Sequence, residues 1–176
     1  MDLTFVVGVI GALILVCGAA WPPGKSKVAW KSVKNWLFMF GGLTMLAYSI
    51  LLYLSGGPIF FLFLQIFVNL TSISMMLDVD DKIDLAVIGT SGLAFVAWSL
   101  YLFEGAETVY FVLGLVVLGL GYALKMGTVK RNLALAIGSG WIGFFSYVVS
   151  DWIFFWLNVF FAIFSFYYVW KLSRAH

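Results

Sequence analysis

Apolar residues run along this chain in seven stretches separated by short polar links, at about 3–21, 35–55, 58–77, 83–103, 108–124, 132–150 and 152–170. Each is close to the roughly 20 residues that a helix needs to cross a hydrocarbon core. The links alternate in character. "SGGP" (55–58), "EGAE" (104–107) and "SD" (150–151) are short and carry no basic residue, which predicts tight antiparallel hairpins of segments 2–3, 4–5 and 6–7. The remaining links and the tail hold all the basic residues: Lys25, Lys27, Lys31 and Lys34, then Lys82, then Lys125, Lys130 and Arg131, and finally Lys171 and Arg174. With seven spans these positions share one side. A basic side is the cytoplasmic one, so the N-terminus is expected outside and the C-terminus in the cytoplasm.

Composition agrees with that pattern. The chain is 64% hydrophobic and 10% charged, with a mean hydropathy of +1.07, whereas soluble domains are about 25% charged. The expectation is an all-α, multi-pass integral membrane protein, most naturally of the cell (inner) membrane, with the lipid bilayer as a partner and no separate soluble domain. The first segment has only Asp2 as an early charge and lacks the basic start of a cleavable signal. The net charge of +2 is absorbed by topology, so no nucleic-acid partner is expected. One cysteine, Cys17, and one histidine, His176, give neither a disulfide nor a metal site, and no cofactor is expected.

Two links add detail. "PPGKSKVAWKSVKN" (22–35), with Trp21, Trp30 and Trp36 among lysines, predicts a short helix lying in the headgroup layer. "DVDDKID" (78–84) lacks the glycine and closing glutamate of a calcium loop. It reads as a helix junction, with Asp78 or Asp80 capping the fourth helix.

Internal similarity suggests a duplication. The third segment, "PIFFLFLQIFVNLTSISMML", and the seventh, "WIFFWLNVFFAIFSFYYVWK", share Ile-Phe-Phe followed by an amide, and the first and fifth share "FVVG" (5–8) and "FVLG" (111–114). The expected plan is a 3+1+3 parallel repeat: residues 1–77 as the first three-helix repeat with its basic link 22–35, 78–104 as linker helix four, and 105–176 as the second repeat. The alignment has two registers. The pairs Gln65–Ser72 and Asn158–Ser165 match at an offset of 93, while Ile-Phe-Phe requires 94. One residue rotates a helix face by about 100°, and the scarcer polar positions are the better guide.

No segment has a charged residue in its central part. Proton relays and ion-coupled pumps usually show such residues, and hydrolases or transferases need acid–base or metal groups. An enzyme is therefore not expected. What remains is neutral. Gln65, Asn69 and Ser72 share one helix face, as do Asp151, Asn158 and Ser165. Tyr48 on the second segment and Trp141 and Tyr147 on the sixth add aromatic surface. Amides both donate and accept, so this set suits a small uncharged hydrophilic solute. The alternative is that the amides only tie helices together, in a non-transporting structural or accessory subunit of a membrane complex. The glycines and alanines of the first, fifth and sixth segments, including Ala134, Ala136, Gly138, Gly140 and Gly143, read as close helix packing.

The stretches "FMFGGLTMLAYSILLYLSGGPIFFLFLQIF" (38–67) and "WIGFFSYVVSDWIFFWLNVFFAIFSFYYVWKL" (141–172) resemble the SWEET-like superfamily of transporters, and most of all the nicotinamide riboside transporters (PnuC type). The resemblance implies a facilitator working by alternating access between two three-helix bundles. It implies nicotinamide riboside as the first candidate solute, with a sugar as the alternative. It also implies a homotrimer, and a substrate site drawn from Gln65, Asn69, Trp141 and Asn158, to which Tyr48 and Tyr147 are added here. The Pro-Gln pair of the sugar-transporting relatives is absent; the prolines are Pro22, Pro23 and Pro58.

Overall fold

The computed structural model describes residues 2–21, 29–77 and 80–174. Among these the chain is entirely helical: α1 (Leu3–Ala20), α2 (Val33–Leu54), α3 (Phe60–Met76), α4 (Asp81–Tyr101), α5 (Ala106–Ala123), α6 (Val129–Val148) and α7 (Trp152–Ser173). Each predicted apolar stretch becomes one helix. Five of them, α1, α2, α4, α5 and α7, are long and apolar enough to cross a membrane, as befits an integral membrane protein. The third stretch forms a shorter helix of 17 residues, about 26 Å long at 1.5 Å per residue. The sixth is diluted by Lys130, Arg131 and Asn132 at its start and by glycine and serine within.

Local chemistry sets the helix ends. Asp2 accepts from Thr4 N (3.2 Å) and starts α1, Thr128 accepts from Arg131 N (3.3 Å) and starts α6, and Asp151 accepts from Phe154 N (2.9 Å) and starts α7. These are N-caps, in which a side-chain oxygen takes an otherwise unpaired first-turn N–H. Asp80 accepts from Lys82 N (2.8 Å), the capping role expected at that junction, while Asp78 lies outside the described residues. The α2–α3 turn reverses through Gly56 at φ 89°, and the α6–α7 turn through Ser150 at φ 62°. The left-handed region costs a side-chain-bearing residue about 1–2 kcal/mol, and the turn holds Ser150 there with the bond from Asp151 N to Ser146 O (2.8 Å). Of the interfacial helix expected in the basic link, the described part is a single 3-10 turn, Ala29–Lys31, tied to α2 by Trp36 Nε1 donating to Trp30 O (2.8 Å). Helix α2 starts soon after it, at Val33, with Ser32 extended between the two.

The chain divides into two compact units, Met1–Val87 and Ile88–His176, with the division falling inside α4. In the first unit α2 is the middle helix, packed on α1 and on α3. Glycine makes the close approach possible. A Cβ on Gly41 would lie 2.7 Å from Leu15 Cγ, and one on Gly11 3.0 Å from Met45 N and Cγ. The core is Met45, Tyr48, Phe60, Phe61, Phe63, Leu64 and Phe67. At the basic end, Lys34 Nζ donates to the carbonyl of Trp21, the residue that ends α1 (3.3 Å).

In the second unit α6 is the middle helix, packed on α5 and on α7. A Cβ on Gly138 would lie 2.7 Å from Leu118 N, and one on Gly114 2.6 Å from Ile142 Cδ1. Phe111, Leu115, Leu118, Ile142, Phe145, Phe154 and Leu157 form the core. Arg131 donates to the carbonyl of Leu124, the residue that ends α5 (3.3 Å). The spacing is the same in both units. Gly11 and Leu15 of α1 meet Met45 and Gly41 of α2 just as Gly114 and Leu118 of α5 meet Ile142 and Gly138 of α6. Ser49 and Ser146, one turn further on, both return their hydroxyl to the carbonyl of that Met45 or Ile142 (2.9 and 2.7 Å). This correspondence pairs Gly114 with Gly11, one turn along from the Gly8 that "FVVG" and "FVLG" would align.

Candidate functional site

The inward face of α7 carries Phe154, Leu157, Asn158 and Ser165, positions that recur every three or four residues. Asp151 at its start is also buried, so the predicted face Asp151, Asn158, Ser165 is the one α7 turns inward. Of this face, Asn158 also lines an open groove of about 380 Å³ that runs between α6 and the partly exposed side of α7. Its floor on α6 is Ser139, Gly140 and Gly143. Its α7 wall includes Asn158, Val159 and Ala162, and Phe144, Tyr147, Phe155 and Phe166 supply aromatic surface.

Asn158 is 7% exposed and donates from Nδ2 to Phe154 O in its own helix (2.8 Å). Among the described residues its Oδ1 receives no hydrogen bond, so the groove holds one acceptor and, from Ser139, one hydroxyl. Neutral amide and hydroxyl groups beside aromatic faces can orient a polar ring without charge. Tyr147, which also lines the groove, has its ring edge-on to Trp152 (5.9 Å) and tilted against Phe155 (5.9 Å). Trp141 belongs to a neighbouring groove of about 440 Å³, with Ile137, Gly140 and Phe144. It lies nearly parallel to Tyr110 of α5, with centroids 6.1 Å apart. Gly140 and Phe144 border both grooves.

The predicted residues of the first unit sit differently. Tyr48 is buried in the core. Asn69 Nδ2 donates both to Gly42 O on α2 (3.0 Å) and to Gln65 O on α3 (2.7 Å), which fastens α3 to α2. Its Oδ1 is pressed against Gly42, where an added Cβ would lie only 2.7 Å away. Among the described residues Gln65 Oε1 and Asn69 Oδ1 are both buried with no partner, a cost of about 1–3 kcal/mol for each such group. Thus the structure joins Gln65 to Asn69 inside the first unit and Tyr147 to Asn158 inside the second.

Asn69→Ala removes the cross-helix bond and should lower stability by about 1–2 kcal/mol. Gly42→Ala should cost about 1–3 kcal/mol by driving a methyl into the tethered amide. Thermal unfolding in detergent measures both, and an unchanged melting temperature in the two variants would remove Asn69 from its fastening role.

Ser139, Gly140 and Gly143 also line the groove, and the sequence reading had grouped the two glycines with Gly138 as packing residues, which suits the buried Gly143 beside α7. Gly138 does pack, but a Cβ on Gly140 meets nothing within 4 Å, and one on Gly143 comes no closer than 3.5 Å, to Asn158 Cβ. The usable signal was their helical spacing with Tyr147, which puts residues 140, 143 and 147 on one face. No protein-family model, no curated protein and no solved structure matches this chain.

Proposed function

We propose that this protein is a passive transporter, a facilitator for a small hydrophilic solute, built as a 3+1+3 parallel repeat with seven membrane-spanning helices. The N-terminus is outside and the C-terminus cytoplasmic. The observation that carries the transport reading is the α6–α7 groove, which is lined by aromatic side chains and by the buried Asn158, whose Oδ1 receives no hydrogen bond among the described residues. The repeat is supported by the matched glycine interlocks of α1–α2 and α5–α6 and by the paired clips of Lys34 on Trp21 O and Arg131 on Leu124 O. Helix pairs locked in this way would move as bodies, which alternating access between two three-helix bundles requires.

Nicotinamide riboside is the first candidate, from the resemblance, and a sugar the second. The ribosyl hydroxyls and carboxamide bring the N–H and O–H donors that Asn158 Oδ1 lacks. The pyridinium ring of nicotinamide riboside departs from an uncharged solute by one delocalised positive charge, which aromatic faces accept through cation–π attraction. The decisive experiment uses purified protein in liposomes with labelled nicotinamide riboside, ribose, glucose and uridine. Saturable flux down the gradient, above that of empty liposomes, is expected for at least the first. Absence of flux for all four sinks the transport reading.

A second reading is a non-transporting accessory subunit. It is favoured by Asn69, whose amide is spent on fastening helices. That reading predicts co-purification with unrelated membrane chains together with silent liposomes.

A further inference from the structure

We propose that the stripe Tyr167, Trp170, Lys171 and Arg174 at the end of α7 is a headgroup site for an anionic phospholipid. These residues stand at i, i+3, i+4 and i+7, which gathers them on one helix face. The face points away from α6. Tyr167 is two residues from the buried Ser165, a rotation of about 200°, and all four side chains are exposed, the two rings by about half. The Arg174 guanidinium lies 4.2 Å over the Trp170 ring, and Tyr167 leans on the same indole at 6.1 Å. A guanidinium stacked by its flat face keeps its N–H edge free to fork an oxyanion with two parallel bonds. No carboxylate of the described residues pairs with Arg174 or Lys171. Helix α7 itself has no acidic residue, and its capping Asp151 stands at the other end, about 35 Å off at 1.5 Å per residue. The anion has to come from outside the helix.

The cations divide by what they touch. Lys34 and Arg131 each donate to the carbonyl that ends a neighbouring helix (both 3.3 Å), so their donors are spent inside the protein. Lys31 repeats the Arg174 arrangement in the first unit. It is exposed and lies over Trp30 (5.4 Å), itself 59% exposed, with no acceptor among the described residues. Helix α7 is long and apolar enough to span a bilayer, and tryptophan and tyrosine at the end of such a span sit at headgroup level. A cation one turn further out then meets lipid phosphate. The lipid is one of net negative charge, since a zwitterionic headgroup brings its own cation to compete with Arg174. Such a site needs only a membrane-embedded α7, not transport.

The test titrates the purified full-length protein in neutral detergent with phosphatidylglycerol, with phosphatidylcholine of the same acyl chains, or with inorganic phosphate, and reads the melting temperature. Phosphatidylglycerol should raise it at a lower midpoint concentration than phosphatidylcholine, and phosphate at equal concentration should leave it unchanged. Arg174→Gln should move the phosphatidylglycerol midpoint up about fivefold, and the added Lys171→Gln about fivefold again. Trp170→Leu keeps both charges and should cost about two- to fivefold through the lost stack. Arg131→Gln is the control for net charge and should leave the midpoint within about twofold. If it weakens phosphatidylglycerol as much as Arg174→Gln does, attraction is general and the proposal is overturned. Equal midpoints for the two lipids, for wild type and Arg174→Gln, or for phosphate and phosphatidylglycerol overturn it as well.

Discussion

Gly138→Ala is expected to lower the stability of this protein by about 2–3 kcal/mol, or to abolish its folded state in detergent. The new Cβ would sit 2.7 Å from Leu118 N and 2.8 Å from Leu118 Cγ. A side-chain tip could swing aside, but a backbone nitrogen inside α5 moves only with its helix. Relieving the clash therefore means separating α5 from α6 along the interlock that Leu118, Gly121, Leu135 and Ile142 also share. Much of the dispersion energy of a close helix pair is lost with a gap of under 1 Å. The control lies two residues away. Gly140→Ala adds the same methyl to the same helix with no atom within 4 Å, so it should be neutral or stabilising by up to about 1 kcal/mol through helix propensity. Thermal unfolding of the two purified variants gives opposite signs if the interlock is real; equal melting temperatures would refute it.

Asn158→Ala should cut solute flux by about 10–100-fold while costing little stability. The Nδ2 bond it loses runs to Phe154 O within α7, and such bonds in bilayer-embedded helices average about 0.6 kcal/mol. On the transport reading, the Oδ1 it loses is the acceptor for a solute donor, and losing such a bond costs about 1.5–3 kcal/mol, which is the stated range of flux. Asn69→Ala should show the reverse balance of the two readouts, because both of its bonds hold α3, one of them to α2. Flux and melting temperature measured on the same preparations separate the cases. An Asn158→Ala protein that transports like wild type and melts as early as Asn69→Ala makes Asn158 a fastener too.

Much of the architecture was legible from the sequence. Apolar runs near the length of a membrane span fold as helices because lipid leaves backbone N–H and C=O groups no other partner. Their number and positions followed directly, and so did the cap at Asp80, a local interaction between neighbours in the chain; the caps at Asp2 and Asp151 are equally local but were not read from the sequence. The inward face of α7 was also readable, because the spacing of Asp151, Asn158 and Ser165 by seven already fixes a shared side of a helix.

What the sequence left open depends on which neighbour each face meets. "GSG" at 138–140 contains two glycines that sequence cannot distinguish. Two helical steps rotate by about 200°, so one of them takes the backbone of Leu118 and the other faces open space. "FVVG" and "FVLG" suggested a register that the interlocks displace by one turn. In a helix rich in small residues, several glycines could serve, and the bulky partner on the next helix selects among them. Asn69 and Asn158 look alike as amides in apolar helices. Their roles diverge because a carbonyl of α2 lies within reach of Asn69, while Asn158 donates only to Phe154 O of its own helix and lines a groove. The sequence by itself determined the helices, their ends and their polar faces, since those depend on spacing along one chain. Only the tertiary structure decided which amide fastens and which one faces a groove, since that depends on distances between atoms far apart in sequence.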